Sequence, residues 1–169
     1  MAEEVSETLK TLIVDDEPLA VERMQVICSK IPQLRVVGTA SDGAQALRLV
    51  EALQPDLILL DMTMPEVDGI SVAKSLAQKA ERPAVVFVTA HDNYAVEAFD
   101  LDAVDYVLKP VKPERLERAV SRAIARRGNF SCARFRRQAI ALRGNFGRER
   151  HRRRASSAAA TAARRVNFG

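Results

Sequence analysis

The sequence predicts a doubly wound α/β domain, a five-stranded parallel sheet of (βα)5 type covered by helices on both faces, followed by a basic C-terminal tail. Three observations lead there. Short apolar runs alternate strictly with amphipathic segments up to Arg127, the rhythm of βα units. The run Leu57-Ile58-Leu59-Leu60 is unbroken, as suits a central strand buried on both faces. Four of the runs also end on side chains able to do chemistry. Leu12-Ile13-Val14 leads into Asp15-Asp16, the third run into Asp61, Val85-Val86-Phe87-Val88 into Thr89, and Tyr106-Val107-Leu108 into Lys109-Pro110. Open parallel sheets place ligand-binding residues at the carboxyl ends of their strands, so these groups converge on one crevice.

Each element has its own justification. Leu9–Val14 reads as the first strand. Pro18 suits the opening turn of a helix, and Ala20, Met24, Ile27, Cys28 and Ile31 then recur at helical spacing until Pro32 ends it. Arg35–Thr39 makes the second strand, and Ser41-Asp42-Gly43 offers side-chain caps for a helix running to Leu53. Asp56–Leu60 is the third strand. After the loop Met62–Val67, residues Ile70, Ala73, Leu76, Ala77 and Ala80 form the third helical stripe. Ala84–Thr89 is the fourth strand, Tyr94–Leu101 a short helix, and Val104–Leu108 the fifth strand. Pro113–Arg126 closes the domain as a helix with Leu116, Ala119, Val120, Ala123 and Ile124 on one side.

Charge divides the chain. Residues 1–125 carry 13 Lys and Arg against 21 Asp and Glu, a net of −8, whereas residues 126–169 carry 13 Arg against Glu149 alone, a net of +12. The overall value of +4 therefore describes neither part. We expect an acidic extension over residues 1–8, a folded domain over 9–127 and an Arg/Ala-rich disordered tail over 128–169. No apolar run approaches the roughly 18 residues that span a bilayer. Met1–Glu7 is acidic and lacks the apolar stretch of a secretory signal. Cys28 and Cys132 have no metal-like spacing, and Cys28 falls on an apolar stripe where a reduced core thiol is expected. These features suit a cytoplasmic protein with no membrane partner.

Three carboxylates gathered at one point repel each other unless a cation sits among them. Mg²⁺ is a hard ion that takes few protein oxygens and keeps several waters. Asp16 and Asp61 are the expected direct ligands, Asp15 stands one shell out or binds through water, and the Thr63 carbonyl completes the protein's share. Asp61 is the candidate nucleophile, since a carboxylate can attack a phosphoryl group and become an aspartyl-phosphate. Phosphoryl transfer asks mainly for positioning and charge neutralisation, which Mg²⁺ and Lys109 supply. Thr89 is placed to hydrogen-bond a phosphate oxygen, and Tyr106 reads as a core aromatic. A hydrolase using the same acids would need a positioned water, for which His91 is the nearby side chain of suitable type. On the leading reading His91 lines the rim and tunes the lifetime of the phosphate.

Residues 9–127 closely resemble the receiver domain of bacterial two-component response regulators. The resemblance rests on Ile13-Val14-Asp15-Asp16-Glu17-Pro18, Leu60-Asp61-Met62-Thr63-Met64-Pro65 with Asp68-Gly69, Val88-Thr89-Ala90 and Leu108-Lys109-Pro110. It implies a flavodoxin-like fold and a histidine kinase or phosphotransfer protein that donates phosphate to Asp61 with Mg²⁺ present. It also implies that Thr89 and Tyr106 switch position on phosphorylation and rebuild the face made by helix 4, strand 5 and helix 5, a surface for homodimerisation or another protein contact. Such a protein is a switch that catalyses only its own phosphorylation and slow dephosphorylation. Tyr94-Ala95-Val96-Glu97-Ala98-Phe99-Asp100, followed by residues 103–110, looks like receivers of the LytTR class. In that class a DNA-binding β-domain follows the receiver, but residues 128–169 are too few for one and lack alternating strand patterning.

The tail repeats one fragment as Arg127-Gly128-Asn129-Phe130, Arg143-Gly144-Asn145-Phe146 and Arg165-Val166-Asn167-Phe168. Its spacing is too irregular for stacked repeats. The leading expectation is a solvated tail with no evolved role; otherwise the 13 arginines of residues 126–169 suit phosphates on nucleic acid, with Phe130, Phe135, Phe146 and Phe168 for stacking, or the acidic receiver itself. The alternative function is thus a DNA-binding transcription regulator whose LytTR-like output is truncated or frame-shifted, an origin that the Arg, Ala, Gly and Ser bias also suggests. Translating the coding sequence in its other two frames is expected to uncover a strand-rich domain, and its absence from both would defeat that origin.

Overall fold

Residues 8–93 and 95–127 are described in the computed structural model. The chain divides into two units, Met1–Arg127 and Gly128–Gly169. The expectations for residues 1–7, Tyr94 and the tail lie outside the described residues.

Within the first unit, β1 (Leu9–Val14), β2 (Leu34–Ala40), β3 (Leu57–Leu60), β4 (Ala84–Thr89) and β5 (Asp105–Leu108) form one parallel sheet of order β2-β1-β3-β4-β5. The chain winds from β1 outward to β2 and then crosses back to β3. The loops after β1 and β3 therefore diverge to opposite faces, which opens a crevice between them. Alternation along the strands feeds two cores. Leu12, Val14, Ile58, Leu60, Val85 and Phe87 point to one face, against Ala46 and Val50 of α2 (Gly43–Leu53), Val72, Ala73 and Leu76 of α3 (Gly69–Ala77) and Ala98 of α4 (Ala95–Asp100). Leu9, Ile13, Leu57, Leu59, Val86, Val88 and Val107 point to the other. There they meet Met24 and Cys28 of α1 (Pro18–Ser29) and Leu116, Ala119, Val120 and Ala123 of α5, the helix over residues 113–127. Each such fully buried Leu contributes about 2 kcal/mol of transfer free energy.

The helix ends follow local chemistry. Pro18 occupies the start of α1, where its missing N–H would have had no partner. The expected stop at Pro32 comes earlier, because the Lys30 N–H turns back onto the Ile27 carbonyl at 3.1 Å and closes the helix at Ser29. Asp42 caps α2 by accepting the Gln45 N–H at 2.7 Å, and the Gln45 side chain accepts the Ser41 N–H at 2.9 Å. Asp68 caps α3 the same way through the Ser71 N–H at 2.7 Å. The stripe that extended to Ala80 is three residues too long. The Lys79 N–H bonds the Leu76 carbonyl at 3.0 Å, a tightened last turn that stops α3 at Ala77. β2 is one residue longer at each end than expected, and its register against β1 shifts between Thr11 and Leu12. Cys28 is buried, and that burial pushes its thiol up to about 12, so it is an inert core group.

One buried charge joins the last strand to the last helix. Asp105 accepts from Arg115 at 2.7 and 2.9 Å, from Arg122 at 3.0 Å and from the Tyr106 N–H at 2.8 Å, while Arg115 also reaches the Tyr106 carbonyl at 2.7 Å. Burial by itself would raise the Asp105 pKa. The Arg115 and Tyr106 hydrogen bonds and the two arginine charges outweigh it and hold the carboxyl below its ordinary 3.8. A carboxyl whose pKa is depressed by folding contributes stability that is complete above its unfolded value and is lost as pH falls through the folded one. Asp105→Asn is therefore expected to cost about 2 kcal/mol at pH 7 and to melt like the parent protein in strong acid, measured by thermal unfolding across pH. An equal difference at both pH values would contradict this assignment.

Candidate functional site

The crevice opens where β1 and β3 end. Asp15 and Asp61 follow those strands immediately and are both buried, while Asp16 is exposed at the rim. One oxygen from each of the three carboxylates lies within 4.8 Å of the others, a set that could hold a metal ion. Lys109 follows β5 and reaches the same cluster. Its Nζ donates to Asp15 Oδ2 at 2.6 Å and lies 3.6 Å from Asp61 Oδ2. The Lys109-Pro110 peptide bond is cis.

Backbone groups hold the carboxylates in place. The Glu17 N–H donates to Asp15 Oδ1 at 2.9 Å, and the Thr63 N–H to Asp61 Oδ1 at 3.4 Å. The Asp15 N–H bonds the Ala40 carbonyl at 3.0 Å and the Asp61 N–H bonds the Val14 carbonyl at 2.9 Å, which ties each acid to the neighbouring strand. Thr63 is exposed in the loop after Asp61, and Thr89 is fully buried at the end of β4. The Thr89 hydroxyl accepts the His91 N–H at 3.3 Å, and the half-buried Tyr106 donates its hydroxyl to the His91 carbonyl. One backbone segment thus connects Thr89 to Tyr106, a link invisible in their separation along the chain.

All the residues singled out from the sequence as acids, ammonium and hydroxyl lie at the carboxyl edge of the sheet. Two glycines beside them escaped that reading. A Cβ on Gly69 would stand 2.0 Å from the Asp61 carbonyl oxygen, and one on Gly43 would stand 2.6 Å from Val67. Both open helices, so the sequence marks them as helix starts and does not disclose what they face. Glu17 is a third omission: with Asp61 and Asp15 it contributes to the charge acting on Lys109.

Charge balance explains how the cluster survives folding. Burial pushes the Asp61 carboxyl above its ordinary 3.8 and the Asp15 charge adds to this, against the pull of Lys109 and of the Thr63 and Met62 amides. Burial also works against the Lys109 ammonium. The Asp15 hydrogen bond and the charges of Asp61, Asp15 and Glu17 outweigh it and hold Lys109 above its ordinary 10.5. A carboxyl whose folded pKa is raised weakens the fold as pH climbs from its unfolded value through the folded one, and the full penalty is present at neutral pH. Asp61→Asn is therefore expected to stabilise the protein at pH 7 with chelator present. The gain is expected to vanish below pH 3.8, where the carboxyl is protonated in both states. Thermal unfolding reads both values, and a destabilised variant at pH 7 would contradict the charge balance.

Comparison with known proteins agrees with this geometry. The response regulator receiver domain family matches residues 11–121. A positive alginate biosynthesis regulatory protein of Pseudomonas aeruginosa is 47% identical over 116 residues, covering 68% of this chain and 47% of that protein. The transcriptional regulatory protein BtsR of Escherichia coli is 40% identical over 114 residues, with coverage of 68% and 47%. The chain thus spans about half the length of the curated relatives it matches. Among solved structures, the response regulatory domain of mrkE from Klebsiella pneumoniae superposes with a TM-score of 0.64 at 35% identity, over 69% of this chain and 95% of that one. The REC domain of AraT from Geobacillus stearothermophilus gives 0.65 at 32% identity, over 73% and 98%. With its 2-1-3-4-5 parallel sheet and an acid cluster at the switch point, the chain belongs to the response regulator receiver domain family of two-component systems.

Proposed function

We propose that residues 9–127 are a receiver that accepts a phosphoryl group on Asp61 and passes the event on through its surface. One observation carries this reading: buried Asp61 shares a cluster with Asp15 and Asp16, their oxygens within 4.8 Å of one another, and its Oδ2 lies 3.6 Å from the Lys109 ammonium. An Asp61 oxygen attacks phosphorus as the bond to the donor's nitrogen or oxygen breaks, and the donor takes the electron pair. Lys109 neutralises charge on the transferred group, and Thr89 offers its hydroxyl once it leaves the His91 N–H. Asp16, Asp61 and the Thr63 carbonyl are the residues for Mg²⁺, with Asp15 bound through water or one shell out. The ion supplies charge neutralisation at the transferring oxygens. Oxygen donors of this kind suit a hard divalent cation. On this reading the domain catalyses its own phosphorylation and slow dephosphorylation, and the donor is a histidine kinase or phosphotransfer protein.

The output belongs to the face of α4, β5 and α5. Tyr106 touches the segment that follows Thr89, and Val96 and Leu108 leave large apolar side chains exposed there, which supports homodimerisation or another protein contact. No helix among the described residues is long and apolar enough to cross a membrane, and we place the protein in the cytoplasm. Asp61→Asn is expected to abolish labelling by radioactive acetyl phosphate in Mg²⁺, and full labelling of that variant would assign the phosphate elsewhere.

A second reading, DNA-binding transcription regulation, is favoured by the +12 charge of residues 126–169 and by the likeness to transcriptional regulatory proteins such as BtsR. There the basic segment beyond 127 is the DNA-contacting part. Filter binding across salt concentrations tests it. Sequence preference that persists at physiological salt supports the reading, and affinity that collapses without preference reduces it to charge attraction.

A further inference from the structure

The start of α2 takes no part in the proposed reaction, yet it touches both halves of the acid site. The Ala40 carbonyl just before it accepts the Asp15 N–H at 3.0 Å. Three residues on, Gly43 meets the loop that carries Thr63. A Cβ built on Gly43 would lie 2.6 Å from both Cγ1 and the carbonyl oxygen of Val67, and 2.8 Å from Val67 Cβ. Carbon atoms in contact rest at about 3.5–4.0 Å, so α2 and this loop approach to a separation that only a hydrogen permits. A backbone carbonyl cannot swing aside as a side chain can.

The loop has little freedom to absorb a push. Met62 and Met64 are buried beneath it, the Val67 N–H bonds the Pro65 carbonyl at 2.8 Å, and the Gly69 N–H bonds the Met62 carbonyl at 3.0 Å. Its far end is closed by Gly69, whose missing Cβ makes room for the Asp61 carbonyl. A displacement at Val67 therefore carries through the turn to Thr63 and Asp61, while Asp15 stays tied to Ala40.

We infer that Gly43 is a positioning residue for the cation and phosphoryl site: its bare Cα sets how closely the Asp61–Val67 loop sits to α2, and so where Asp61 and Thr63 stand relative to Asp15 and Asp16. This rests on the reading of the acid cluster under Proposed function. In Gly43→Ala the loop is held away from α2 and the ligand oxygens no longer close on one ion. Alanine is no worse a helix former than glycine, so lost binding is not the expected result of a weakened helix.

The test compares Gly43→Ala with Gly38→Ala in the full-length chain. Gly38 is a second crowded glycine, but its Cβ would meet only Leu53 Cδ1 at 2.9 Å and Leu12 Cδ1 at 3.4 Å, the ends of core side chains that can turn. Calorimetric titration with Mg²⁺ is expected to show affinity reduced about 10-fold or more in Gly43→Ala, the usual loss when a group supporting metal ligands is disturbed, and unchanged in Gly38→Ala. Labelling by acetyl phosphate is expected to need correspondingly more Mg²⁺ in Gly43→Ala only. Parental affinity in a folded Gly43→Ala, or an equal loss in Gly38→Ala, overturns the inference. If Gly43→Ala does not fold, the pair Gly43→Ala with Val67→Gly is compared with Val67→Gly alone, where equal affinities overturn it. A parent protein that binds no Mg²⁺ removes the site reading itself and this inference with it, so the two failures are told apart by the unmodified chain.

Discussion

Two buried carboxylates and an exposed one crowd the switch point of the sheet, and one ammonium on a distant strand balances them. The contact of Lys109 with Asp15 at 2.6 Å and its approach to Asp61 at 3.6 Å give the arrangement its logic. Buried like charges are costly, and a single cation compensates them only in part. Asp61 is left destabilised in its charged form, and a cation held among the three carboxylates would relieve that cost.

The sheet makes the imbalance possible. Parallel strands deliver their carboxyl ends to one edge, and the order 2-1-3-4-5 sends the loops after β1 and β3 apart. Asp15, Asp61 and Lys109 each follow a strand, and Thr89 ends one, whose apolar residues are locked into the two cores, so the strands' burial aims the polar ends. Hydrogen bonds across strand ends, such as Asp15 N–H to Ala40 and Asp61 N–H to Val14, add the last constraint.

Away from the acids, another buried charge, Asp105, sits between the last strand and the last helix. Asp105 binds Arg115 and Arg122 directly beside Tyr106, and Arg115 also bonds the Tyr106 carbonyl. The backbone of β5 is thereby fixed to α5 while the Tyr106 side chain reaches the segment after Thr89.

Much of this was legible in order along the chain. β1 and β4 fall on the expected residues, because alternation of apolar runs with amphipathic stretches is local and its period needs no partner. The acids, Thr89 and Lys109 could be named because each abuts a strand. Helix ends were harder: α3 stops at Ala77 and α1 at Ser29 through single tightened turns that no periodicity records. Only the tertiary structure decided what Gly43 and Gly69 are for, since a missing side chain has meaning only against the atom it makes room for. It alone also joined Tyr106 to His91 and Asp105 to its arginines, for those contacts come from strands and helices brought together by the core.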